Sequence, residues 1–111
     1  MLEETKFHGW SCLALRTEQV QVIIPKDIGP RVLSVAPAGG GNLFHSVETE
    51  RGGTGEPEWK LRGGHRLWHA PEDPGQTYAP DNDPVTANEV EGGVHLIGAT
   101  EAGPRMQKEM R

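Results

Sequence analysis

The amino-acid sequence predicts an all-β fold of antiparallel strands, and three observations carry that expectation. Apolar residues gather into short runs rich in Val, Ile and Leu. Between the runs fall 15 glycines and 9 prolines among 111 residues, frequent enough to punctuate the whole chain with turns. No stretch sustains a 3.6-residue hydrophobic period, and no internal repeat stands out.

Each element follows from its residues. Trp10–Arg16 (WSCLALR) alternates and reads as a strand; Thr17-Glu18-Gln19 is a short turn. Val20–Ile24 (VQVII) is a β-branched strand stopped by Pro25, so residues 10–24 form a hairpin. Lys26-Asp27-Ile28-Gly29-Pro30 is the next turn, and Arg31–Val35 resumes extended structure until Ala36-Pro37. Gly39-Gly40-Gly41-Asn42 is a flexible tip. It lacks the Lys-Ser/Thr pair and helix start of a phosphate loop. Leu43-Phe44-His45 reads as a short apolar return strand. Residues 48–58 carry no hydrophobic pattern and are expected to form a long mobile loop leading into Trp59. Four prolines between Pro71 and Pro84 exclude regular helix there. Val85–Val90, a Gly92-Gly93 turn and Val94–Ile97 make a second hairpin. The tail alternates from Met106 to Met110, consistent with a last strand or a fraying helix turn.

Composition bounds the function. The length suits one domain over residues 1–111. Only 22 residues are Leu, Ile, Val or Phe, close to the fraction of about 20% below which chains tend to disorder. Their clustering argues for a thin core, which raises the expectation of a partner subunit. A net charge of −5 lacks the electrostatic footprint of a nucleic-acid binder. No apolar run approaches a membrane span, and Met1–Lys6 lacks a signal peptide's basic start and apolar middle, so the cytoplasm is the default location. The single cysteine, Cys12, excludes an internal disulfide and a multi-thiolate metal site; a buried structural thiol is expected.

The chemistry concentrates in Gly63-Gly64-His65-Arg66-Leu67-Trp68-His69-Ala70-Pro71-Glu72-Asp73. If its middle is extended, His65, Leu67 and His69 point to one face and Arg66 and Trp68 to the other. An aromatic plate beside forked donors and titratable imidazoles suits a hydroxyl-rich ligand such as a sugar. The competing reading makes Leu67 and Trp68 core and the polar residues a satisfied network around them. His65 and His69 have metal-ligand spacing on a helix, which the Gly-Gly and Pro brackets disfavour, so no metal is expected. His8, His45 and His95 stand isolated. Asp81–Pro84 (DNDP) fits Asx-turn chemistry better than a calcium loop. No nucleophile motif is present and no cofactor is expected.

Taken in order, VQVIIPKDIGPRVLSVAPAGGGNLF, GGHRLWHAPEDPGQTYAPDNDPV and a Gly-Gly hairpin ending in KEM resemble the N-terminal part of the aldose 1-epimerase (galactose mutarotase-like) superfamily. The nearest branch carries a GGHRLWHAPE-type segment. The resemblance spans about Trp10 to Met110, and the second block is its most specific part. It implies a partial antiparallel β-sandwich with a sugar cleft on one sheet. Its chemistry would be anomer interconversion by paired proton transfers, which needs no metal. The cleft candidates it implies are His65, Arg66, Trp68 and His69, with Glu72 and Asp73 near enough in sequence to orient an imidazole. In the family the acid histidine and base glutamate come from the second half, so this chain is expected to be catalytically incomplete. Half a sandwich would leave apolar faces and edges to be covered, and a homo-oligomer is the expected repair. Three functions remain open: a sugar- or polyol-binding domain, an epimerase completed by oligomerisation, and an interaction protein without a ligand.

Overall fold

The fold is that of a computed structural model, and it describes residues 2–67, 82–100 and 107–111. Among these the chain is mostly β, in antiparallel sheets, with no α-helix. The first sheet is a meander of β1 (Leu2–Phe7), β2 (Trp10–Arg16), β3 (Val20–Pro25) and β5 (Ser34–Pro37), in spatial order β1-β2-β3-β5. The two-residue strands β4 (Arg31–Val32) and β6 (His65–Arg66) pair with each other. β7 (Thr86–Val90), β8 (Gly93–Thr100) and β9 (Gln107–Met110) form the third sheet in that order.

The first hairpin shows how the register arises. Phe7 pairs with Trp10 across a two-residue loop in which His8 (φ 50°) and Gly9 (φ 92°) are both left-handed. That is the turn whose twist matches flanking strands. β2 is then buried on both sides. Trp10, Cys12 and Ala14 pack with Ile23, Ile28 and Leu33 on one face. Leu13 and Ile24 pack on the other face with Val94 and Leu96 of β8. Leu13 lies opposite Ile24 in the ladder, and Leu96 opposite Met110, so each sheet presents a matched apolar pair to the shared cluster.

Several elements differ from the expectations or were not among them. Leu2–Phe7 is a strand, although its apolar residues stand only at the two ends. Arg31–Val35 is broken at Leu33, whose N–H bonds the Ile23 carbonyl while its side chain fills the core. Leu43-Phe44-His45 is not a strand. Asn42 takes the place of one: its Oδ1 accepts from the Val35 and Phe44 N–H groups and its Nδ2 donates to the Leu33 carbonyl, leaving Leu43 72% exposed. The β7–β8 loop is Glu91-Gly92 rather than Gly92-Gly93, because Gly93 already pairs with Val90. The tail, expected as a last strand or a helix turn, takes the first form as β9. Finally, the 48–58 loop is anchored. It opens with a 3-10 turn at Glu48–Glu50, and its Gly53 carbonyl accepts from the Trp10 indole at 2.9 Å.

Candidate functional site

The loop is held down by an arginine that sequence reasoning passed over. Arg62 is 1% exposed and sits at φ 62° just before Gly63. Its Nη2 donates to Glu56 at 2.7 Å and its Nη1 to the Glu50 carbonyl, while its backbone N–H reaches the Glu50 carboxylate. Its guanidinium carbon lies 5.8 Å from the Trp10 ring centroid. A second buried arginine, Arg31, is fully enclosed and donates from Nη1 to the Leu61 and Gly63 carbonyls. Neither carries a local sequence signal. Arg31 sits among Pro30, Val32 and Leu33 and Arg62 between Leu61 and Gly63, and each guanidinium is enclosed by backbone carbonyls that the tertiary fold delivers.

Gly63 and Gly64 are necessary for a steric reason. Both are left-handed, at φ 107° and 77°. A Cβ on Gly63 would land on the His45 carbonyl oxygen, and one on Gly64 on the Val32 carbonyl oxygen. The turn expected from Gly-Gly is therefore present, and it brings β6 against β4 with Arg66 opposite Arg31 and His65 opposite Val32. Two like charges face each other in that ladder, which is unfavourable when both side chains share one space. They separate: Arg31 turns under the 61–63 carbonyls, and Arg66 lies over the Trp59 ring, 4.9 Å from its centroid.

Of the four predicted site residues, Arg66 is placed against Trp59, a residue that lines a cleft, although Arg66 itself is not among the lining residues. His65 is exposed, with its ring 6.3 Å from that of Phe44, and lines neither lobe of the cleft described next. Trp68 and His69 lie outside the described residues, as do Glu72 and Asp73. The aromatic plate beside Arg66 is thus Trp59, which the sequence marks only as the residue where the long loop ends.

Trp59 lines a cleft with two lobes. One, of about 370 Å³, is bordered by Gly55, Glu56, Pro57, Glu58, Trp59, Asn82 and Asp83. The other, of about 520 Å³, shares Gly55, Asn82 and Asp83 and adds Gly9, Asp27, Gly52, Thr54 and Pro84. Asn82 anchors the shared wall by donating from Nδ2 to the Lys60 carbonyl at 3.0 Å. Its Oδ1 is buried with no hydrogen-bond partner among the described residues. Asp27 accepts from the Ser11 N–H through Oδ2. The lining is therefore rich in acceptors, with carboxylates from Asp27, Glu56, Glu58 and Asp83, and it carries one indole. Such a surface takes ligands that donate hydrogen bonds and offer a C–H face to an aromatic ring. No group of three or more metal-ligating side chains converges among the described residues.

Elsewhere, Cys12 is buried as expected, and loss of hydration pushes its thiol up to about 11. His8, at the β1–β2 turn, is lowered by partial burial and by the nearby Arg51 guanidinium. Among the described residues, no helix is long and apolar enough to cross a membrane. Compared with family models, curated proteins and solved structures, the chain matches none.

Proposed function

We propose that this chain is a carbohydrate- or polyol-binding domain of mutarotase-like type, whose ligand lies in the cleft beside Trp59, the ring on which Arg66 stacks. The observation that carries the reading is Trp59, stacked on by Arg66, lining a cleft walled by Glu56, Glu58, Asn82 and Asp83. An indole fixed by a guanidinium, with acceptors around it, has the complementarity a pyranose needs: C–H groups for the ring and hydroxyl donors for the oxygens. The segment GGHRLWHAPE, on which the family resemblance rests, supplies Arg66. The apolar cluster shared by β2, β3 and β8 is consistent with the sandwich that the resemblance implies. A homo-oligomer belongs to the same proposal.

The charge of the cleft narrows the ligand. Four carboxylates among the described lining residues, with no arginine or lysine among them, favour neutral sugars and polyols over sugar phosphates. The test is isothermal titration of the protein with galactose, glucose, mannitol and galactose phosphate, repeated on Trp59→Ala and Arg66→Ala. Saturable binding of a neutral member, weakened roughly tenfold or more by loss of the indole, is the expected result. Binding only of the phosphate, or affinity indifferent to both substitutions, contradicts the proposal.

A further inference from the structure

We propose that two copies of this chain associate through the outer edge of β1, in a register centred on Thr5. This gives the self-association in the functional proposal a definite surface, while resting on observations independent of the cleft. β1 ends the sheet order, and none of the described strands covers its outer side. The other edge of that sheet is closed, since Asn42 and Leu43 bond along β5.

The backbone fixes which residues could pair. In a two-residue hairpin the closing pair, here Phe7 and Trp10, exchanges both hydrogen bonds, and every second residue repeats the pattern. Glu3, Thr5 and Phe7 therefore turn their N–H and C=O groups toward β2, and Leu2, Glu4 and Lys6 turn theirs outward. The opposite side of β2 agrees: the Ser11 carbonyl accepts from the Lys26 N–H, away from β1.

An antiparallel edge pair of identical chains has its two-fold axis normal to the sheet, so it must centre on one residue. Centring on Glu4 sets two carboxylates face to face, and centring on Lys6 sets two ammonium groups face to face, both unfavourable. Centring on Thr5 instead places Lys6 opposite the partner's Glu4, twice by symmetry. These are the residues whose backbone groups point outward, so four main-chain hydrogen bonds and two ion pairs form together. Thr5 meets its own copy as a non-hydrogen-bonded pair, with Cα atoms about 4.5 Å apart. The side chains are accessible: Glu4 is 78% exposed, in contact only at Lys26 among the described ion pairs, and Lys6 is exposed with its Nζ on the Ser11 hydroxyl. Glu4 is held below the usual carboxylate range by Lys26, so it is ionised at neutral pH and ready for a second ammonium.

Sedimentation equilibrium on the full chain, with K6E, E4K and the double swap E4K/K6E, tests this. The expected result is a concentration-dependent mass approaching twice 12.1 kDa for the parent chain. Each single swap should weaken association roughly tenfold, and the double swap should restore it, because Lys at position 4 again faces Glu at position 6. T5C in a Cys12→Ala background provides the second measurement, because Thr5 lies opposite Cys12 in the β1–β2 ladder and the two thiols would otherwise pair within one chain: mild oxidation should give a disulfide-linked dimer. A parent chain that remains monomeric at millimolar concentration overturns the proposal. So does a dimer indifferent to all three swaps and uncrosslinked through position 5. These readouts report assembly and not sugar binding, so the β1 interface and the sugar cleft can each fail without the other.

Discussion

Removing Glu56 should destabilise the chain more than removing Arg62, although the two form one ion pair. The asymmetry comes from exposure: the Arg62 side chain is 1% accessible and the Glu56 side chain 27%. Arg62→Met removes the charge and fills much of its volume. It also deletes a buried Nε–H that has no partner among the described residues, and it leaves a carboxylate that water can reach. The losses are the bond to the Glu50 carbonyl and the contact with Trp10, which together cost about 1–2 kcal/mol. Glu56→Ala leaves the buried guanidinium without its ion-pair partner. Breaking a fully buried pair this way costs about 3–5 kcal/mol, and partial access at Glu56 places this one near 3 kcal/mol. A domain of this size has about 5–15 kcal/mol in total. With a urea dependence of roughly 1.5 kcal/mol per molar, the midpoint should fall by about 2 M for Glu56→Ala and about 1 M for Arg62→Met. Tryptophan fluorescence and backbone circular dichroism, followed together, measure both midpoints. If Arg62→Met proves as costly as Glu56→Ala, the rehydration argument is wrong. Because Glu56 walls the cleft, the same variant should also weaken sugar binding.

Other consequences follow from the fold. Gly64→Ala combines a left-handed backbone with a Cβ placed on the Val32 carbonyl, so it should cost more than about 3 kcal/mol in urea unfolding and detach β6 from β4; a loss under 1 kcal/mol would contradict the close approach. Cys12 has its folded-state pKa raised to about 11 from an ordinary 9.0, so its contribution to stability is fully present below pH 9 and is lost as pH rises through about 11. Chemical denaturation from pH 8 to 11 should show that decline in the parent chain and a smaller one in Cys12→Ala. An equal decline in both would place the titrating group elsewhere.

The strands were legible where alternation and turn residues agree. Trp10–Arg16, Val20–Ile24 and the β7–β8 hairpin each have apolar partners spaced by two and a turn residue that suits the loop. β1 was not, because its central residues Glu3, Glu4, Thr5 and Lys6 have no apolar period; it is held by the hairpin and by pairs such as Lys26 with Glu4. The return strand expected at Leu43-Phe44-His45 failed for the opposite reason. Its residues are apolar, but Asn42 satisfies the backbone first. At the candidate site, Arg66 was identified from the density of polar groups around it. Its partner Trp59 was not, since contact across the 61–64 turn depends on two left-handed glycines and not on spacing. Arg31 and Arg62 were illegible as core residues: burial of a guanidinium is decided by which carbonyls and carboxylates the tertiary fold delivers to it, and no local pattern encodes that.

We propose that neutral polyols bind beside Trp59. The most direct test is a ¹⁵N–¹H correlation spectrum of the folded chain, titrated with galactose and glucose and followed at the Trp59 indole and the Gly55 and Asn82 amides. Saturable shifts centred on those three signals, absent with galactose phosphate at equal concentration, are the predicted result. Spectra unchanged to high millimolar sugar, or shifts scattered away from the cleft, would contradict it.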